Sequence, residues 1–352
     1  MRIAFVEVIP YALPFRELYV TARGSLAQRE MVLLRLRSED GLTGLGEAVP
    51  LSMRGGVTLA RVVGELELLG ELSELDEASL SGGIANLSTP ARCAALTALM
   101  DLRGRRAAAE GRSSSAASEP VPCNATLVAG EPAAVAEDAL RWAAVGFSTF
   151  KLKLGAGDDV GQVEAVRGAV GAAARIRVDA NGAWDVAGAK RTLGELEELD
   201  VELAEQPVAT LEEAAEVAAA TSIPIAGDES VESSGDAERA VSLGACDLAG
   251  VKLSKVGGPE EAIAIAEVLP SYLSSALDGP VGIAAAAQVA QTLRQSAPRG
   301  GYDLAHGLAT QRLFASTVAA VECELREGML HPPPGPGLGV EIDERALDAH
   351  RL

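Results

Sequence analysis

A (β/α) barrel with a smaller second domain is the architecture this sequence predicts, and three observations carry the prediction. From Val121 onward, short apolar stretches alternate with Ala- and Glu-rich ones through eight strand-helix steps, which indicates a barrel more than an open sheet. Before that point the texture differs, with hairpin patterning and two helical stretches. The chain has 352 residues, 48% of them hydrophobic, enough for one core of barrel size and a smaller one.

Taken in order, Met31–Arg37 and Leu42–Glu47 read as antiparallel strands around Ser38-Glu39-Asp40-Gly41, whose Asp-Gly pair is a hairpin signal. Leu59–Leu69 reads as a helix. So does Pro90 to about Ala107, with Thr89 as N-cap and Pro90 at the first helical position. Gly111–Pro122 is rich in Ser, Ala and Pro and reads as a linker. Barrel strands are expected at Cys123–Val128, Ser148–Leu154, Arg175–Asp179, Val201–Glu205, Ile223–Asp228, Asp247–Leu253, Tyr272–Leu277 and Tyr302–Ala305. Between them, Thr210 with Glu213 makes a capping box, and Gly258-Pro259 puts proline in a first helical turn. The last helical step is irregular. His331–Gly339 is rich in Pro and Gly, so the tail from about Ala319 is expected to leave the barrel and pack on the N-terminal domain.

The net charge of −20 argues against nucleic acid and against an anionic membrane surface as partners. The longest apolar run falls short of a membrane span and the N-terminus lacks a signal-peptide pattern, so a cytoplasmic protein is expected. Cys93, Cys123, Cys246 and Cys323 lie far apart, which fits buried thiols better than a disulfide framework or a zinc site.

The chemistry begins at Ser148–Leu154. This buried strand carries Lys151 and Lys153, and alternation points both ammonium groups to one face. Two like charges there are costly unless anions or a water-filled site answer them. Asp179, Glu205 and Asp228 each end one of the next three strands, 26 and 23 residues apart, and Lys252 follows 24 residues later. Three adjacent strands would then present three carboxylates at the C-terminal rim, where barrel active sites lie. Such acids resist ionisation unless a cation sits among them, and oxygen-only ligands suit Mg²⁺, with Mn²⁺ as a substitute. Lys153 and Lys252 would face each other across that cation. A substrate carboxylate on it would place its α-carbon between two amines, a geometry for proton abstraction. Free lysine titrates near about 10.4. Burial and the Lys151 ammonium are expected to lower Lys153 toward the ~7–8 useful to a general base. Taken singly, a Lys-x-Lys is often a solvated edge strand and a strand-terminal Asp often caps a helix. Five such residues on five consecutive strands are harder to explain that way.

At Lys151-x-Lys153, Asp179-x-Asn181, Glu205-Gln206-Pro207, Asp228-Glu229-Ser230 and Lys252 before Gly257-Gly258, the chain resembles the enolase superfamily in its muconate-lactonizing subgroup. The helix from Ala91-Arg92-Cys93 to Asp101-Leu102-Arg103-Gly104 looks like that family's last capping-domain helix. The resemblance implies a (β/α)7β modified TIM barrel with an α+β capping domain built from both termini. Its parts would be residues 1–116 and 319–352 for the cap and 117–318 for the barrel. It implies Asp179, Glu205 and Asp228 as magnesium ligands, Lys153 as the base with Lys151 beside it, and Lys252 as the amine opposite. Loops near Thr21–Ser25 and Leu51–Gly56 would close over the substrate, where Arg23 and Arg54 would meet a second carboxylate or remain solvated. The mandelate-racemase subgroup is disfavoured, since Tyr272–Asp278 holds no histidine.

Ser274–Ala284 followed by Ala305–Thr310 looks like o-succinylbenzoate synthases of the menaquinone pathway. By that likeness the chain would dehydrate a cyclohexadiene carboxylate, with Ser275 and the Gly307 backbone on the succinyl arm and Asn181 also on the substrate side. Dipeptide epimerases, N-acylamino acid racemases and muconate-type cycloisomerases share the machinery. Dipeptide epimerases usually carry Asp-x-Asp near the eighth strand, which Asp303-Leu304-Ala305 lacks. A catalytically silent barrel is the remaining alternative. The partner is thus a small-molecule carboxylate, and homo-oligomers are common in the family.

Overall fold

The computed structural model describes residues 2–21, 24–50, 56–70, 82–112, 119–296 and 304–352. Strand β1 (Ile3–Thr21) pairs antiparallel with β2 (Gly24–Ser38), which pairs with β3 (Thr43–Ala48). The hairpin expected at Asp40-Gly41 joins β2 to β3, and Gly41 takes the left-handed φ of +86° that the turn needs. Alternation splits β2 between two cores. Val32, Leu34 and Leu36 pack with α1 (Leu59–Gly70) and α2 (Thr89–Ala109), while Met31 and Leu33 join the barrel's apolar cluster. Helix α2 lies almost on the backbone of β3. A Cβ at Gly44 or Gly46 would stand 2.1 Å from the Ala98 carbonyl oxygen or 1.9 Å from that of Ala94. Its N-cap is Ser88, one residue before the expected Thr89.

β4 (Val121–Pro122) leads into seven parallel strands in chain order: β5 (Ala125–Leu127), β6 (Thr149–Lys153), β7 (Arg175–Asp179), β8 (Val201–Glu205), β9 (Ile225–Gly227), β10 (Leu248–Val251) and β11 (Ser271–Leu273). Two parallel bridges, Ser274 to Gly307 and Cys123 to His306, close the ring. The Gly307 N–H donates to the Leu273 carbonyl at 2.8 Å, and the His306 N–H to the Pro122 carbonyl at 2.7 Å. The eighth stave is therefore His306-Gly307, just past the expected Tyr302–Ala305, of which residues 302 and 303 lie outside the described residues.

The helices between strands are α3 (Pro132–Ala143), α4 (Asp159–Val170), α5 (Val186–Leu196), α6 (Leu211–Ala218), α7 (Ser234–Leu243), α8 (Leu253–Val256), α9 (Pro259–Val268) and α10 (Pro280–Ser296). A short 3-10 turn, Ala309–Leu313, follows the last stave. Side-chain caps start four of the helices, through Asp158, Asp185, Thr210 and Ser233, and Thr210 with Glu213 forms the full capping box. The result is a (β/α)7β barrel. No helix among the described residues is long and apolar enough to cross a membrane.

Beyond the barrel, β13 (Glu324–Arg326) and β14 (Met329–His331) form a hairpin on β4, at the end where the barrel strands begin. β12 (Ala319–Val321) pairs with β15 (Glu341–Ile342). Helix α11 (Glu344–His350) then lies against β1, with Arg35 2.7 Å from Glu344 and Arg351 bridged to Tyr11.

Candidate active site

Strand β6 alternates as read: Phe150 and Leu152 join the apolar core, and Lys151 and Lys153 turn to the acids. Lys153, Asp179 and Glu205 are level with one another across β6, β7 and β8, and Asp228 follows β9. All three carboxylates are at most 1% exposed. Lys151 Nζ lies 2.8 Å from Asp179 Oδ2 and 2.6 Å from Glu205 Oε2. Lys153 Nζ donates to Asp179 Oδ2 at 2.5 Å and to Asn181 Oδ1 at 2.9 Å. Lys252 Nζ donates to Asp228 Oδ2, and Lys255 Nζ to Asp228 Oδ1 at 2.7 Å. Around the rim the order is two amines, three acids, two amines.

Two residues in left-handed backbone hold this row. Asn181 has φ +48°, a conformation asparagine tolerates; its N–H donates to Asp179 Oδ1 at 2.9 Å and its amide to Glu229 Oε1 at 3.2 Å. Gln206 has φ +40°, and its Oε1 accepts from the Asp228 N–H at 2.8 Å and the Ser230 N–H at 3.1 Å, tying the second acid's strand to the third's.

The charges bias one another. Burial alone would raise Asp179, but Lys151 and Lys153 outweigh it and hold the carboxyl well below the usual range. Burial and the Asp179 charge together keep Glu205 above its usual value against Lys151. Lys153 departs from expectation. Burial and Lys151 push its ammonium down, as argued from the sequence, but Asp179 pushes it up and prevails. In the free protein Lys153 is therefore a firmly protonated partner of Asp179, because contact with a full negative charge outweighs repulsion from one ammonium.

The side chains as they stand form no group of three His, Cys, Asp or Glu residues ready for a metal ion among the described residues. The donor set nevertheless fits a hard divalent cation. It offers buried carboxylate oxygens only, and Glu205 Oε1 is buried with no hydrogen-bond partner.

Ser275 and Gly307 reach the same rim, where the ring closes. The Ser275 hydroxyl donates to Asp278 Oδ2 at 2.8 Å and accepts from the Asp278 N–H at 2.8 Å. The Gly307 N–H is bonded to Leu273, and its carbonyl accepts from Ser275 at 3.0 Å. These hydrogen bonds tie both residues into the rim. Arg23 and Arg54 lie outside the described residues, as do residues 22 and 51–55 of the two loops expected over the substrate. Sequence reasoning missed Lys255 and Tyr272. Lys255 stands one helical turn after Lys252, a spacing visible in Lys252-Leu253-Ser254-Lys255. Tyr272, fully buried, donates its O–H to Glu205 Oε2.

Residues 134–346 match the family model described as "Enolase C-terminal domain-like". A segment of 206 residues is 41% identical to the o-succinylbenzoate synthase of Thermobifida fusca, covering 56% of this chain and 62% of that protein's length. The muconate lactonizing enzyme of Pseudomonas fluorescens, solved with muconolactone, superposes with a TM-score of 0.89 at 27% identity, covering 100% of this chain and 99% of the other. The dipeptide epimerase of Enterococcus faecalis, solved with Mg and the dipeptide L-Leu-L-Tyr, gives 0.86 at 27% identity over 97% and 100%. The row of acids flanked by amines, the closed (β/α)7β ring and these likenesses agree: the chain belongs to the enolase superfamily, among the relatives of muconate-lactonizing enzymes.

Proposed function

We propose that this chain is a magnesium-dependent lyase of the o-succinylbenzoate synthase type, acting on a cyclohexadiene carboxylate that bears a succinyl group. The observation that carries the reading is the placement of amines at both ends of a buried row of three acids. The likeness to the Thermobifida fusca synthase supports dehydration among the reactions such a site can run. Magnesium, or manganese in its place, held by Asp179, Glu205 and Asp228 would stabilise the negative charge that builds on the substrate carboxylate and offset the acids that raise Lys153.

The chain's own groups do the proton work. Lys153, whose side chain is 20% exposed where Lys151 is 5%, is the amine that a substrate reaches. As the free amine it takes the α-proton. The C–H electron pair becomes the new C=C bond as the C–O bond breaks, and the same Nζ returns its proton to the departing hydroxide, which leaves as water. Asn181 orients that amine through Oδ1. Lys252, still protonated, stabilises charge from the opposite side.

The second reading is epimerisation of a dipeptide, favoured by a likeness that spans 97% of this chain. There Lys153 and Lys252 would exchange protons on opposite faces of one α-carbon. The two readings separate when purified protein with magnesium in deuterium oxide meets the cyclohexadiene carboxylate, a dipeptide panel and N-acylamino acids. Water loss from the first supports the synthase. Exchange and inversion confined to dipeptides would replace it with the epimerase. Exchange with no carboxylate at all would leave a silent barrel.

A further inference from the structure

Glu205 is held from one side only. Its Oε2 accepts both from Lys151, at 2.6 Å, and from the phenol O–H of Tyr272, while Oε1 has no partner. Tyr272 reaches it from β11, three strands around the ring, by crossing Gly250 on β10. A Cβ at Gly250 would stand 3.0 Å from the phenol oxygen and 3.4 Å from the Glu205 carboxyl carbon, so glycine is what leaves the path clear. The phenol is fixed in its turn. Its ring carries the Arg177 guanidinium 5.0 Å from the centroid, and Arg177 donates to the Ala305 carbonyl at 2.6 Å.

The geometry points to Tyr272 as a positioning residue for the metal site: its O–H fixes Glu205 by Oε2 and reserves Oε1 for a divalent cation. Tyr272 touches neither substrate nor cation in this role. A carboxylate already held by one oxygen has less freedom to lose when a metal takes the other, and groups of this kind tune affinity as strongly as some ligands do. The inference rests on the metal-dependent reading above.

The test is magnesium binding by titration calorimetry on the full chain without substrate. Tyr272→Phe keeps the ring on Arg177 and removes only the hydroxyl. Its magnesium affinity is expected to fall about ten- to hundredfold, with kcat recovering at saturating magnesium. Replacing Tyr272 by 4-aminophenylalanine, which keeps an N–H donor in place, is expected to restore affinity to within about threefold of the wild type. An affinity for Tyr272→Phe within about twofold of the wild type, or a 4-amino variant no better than the phenylalanine one, overturns the assignment. Should Tyr272→Phe not fold, the 4-amino variant is judged alone by the same threefold limit. A wild type that binds no magnesium at millimolar concentration refutes the proposed function itself, an outcome distinct from failure of Tyr272 alone.

Discussion

Glu47 makes the attachment of the N-terminal sheet to the barrel sensitive to pH. It sits on β3, 2% exposed, and reaches across to the start of α10. Its Oε1 accepts from the Gly279 N–H at 2.6 Å, and its Oε2 from the Tyr11 hydroxyl at 2.9 Å and the Val281 N–H at 3.3 Å. Burial and the nearby Asp278 charge push Glu47 from the usual 4.5 up to about 8, against those three donors. The folded chain therefore keeps a proton on Glu47 where the unfolded chain has lost it. The stability from this group is complete below the unfolded value and is lost as pH rises to about 8. Between pH 5 and pH 9 the two values correspond to about 4 kcal/mol. Glu47→Gln mimics the protonated form and does not titrate. Urea unfolding of wild type and Glu47→Gln at pH 5, 7 and 9 isolates the effect, including relief of the repulsion from Asp278. The wild type is expected to lose about 4 kcal/mol relative to the variant across that range. A difference between the two that does not change with pH refutes the reasoning.

Other outcomes follow from the same geometry. Lys153→Ala should lower the dehydration rate by about a hundred- to ten-thousandfold while leaving magnesium affinity nearly unchanged, and a variant that keeps more than about a few per cent of the rate removes Lys153 as the base. Asp228→Asn should weaken magnesium binding by at least about tenfold in calorimetry; equal affinity contradicts the ligand role. Gly46→Ala would drive a Cβ to 1.9 Å from the Ala94 carbonyl oxygen. Because the obstacle is backbone and not a movable side chain, it should cost about 3 kcal/mol or more in urea unfolding, and a cost under about 1 kcal/mol would mean that α2 can lift off β3.

Much of the candidate site was legible from the chain alone, for a definite reason. Strand alternation and a near-constant strand-helix period are local properties, and together they bring Lys151, Lys153, Asp179, Glu205, Asp228 and Lys252 to one rim. The Thr210–Glu213 capping box and the Asp40-Gly41 hairpin are local in the same sense. The hydrogen bonding of Ser275 and Gly307 was not legible, because the backbone partners at the ring closure come from strands far apart in the chain. The charge state of Lys153 in the metal-free chain likewise depends on a neighbour distant in sequence. Its neighbour in sequence lowers it, but its neighbour in space, Asp179, decides.

The sequence by itself determined the order of strands, the residues each presents to the barrel's mouth and the kind of chemistry they can perform. Only the tertiary structure decided which oxygen each donor takes, that Tyr272 crosses Gly250 to hold Glu205, and that Glu47 of the N-terminal sheet caps a barrel helix. These are contacts between residues far apart in the chain. Their distances arise from ring closure and from the packing of one core on another, which no periodic pattern along the backbone encodes.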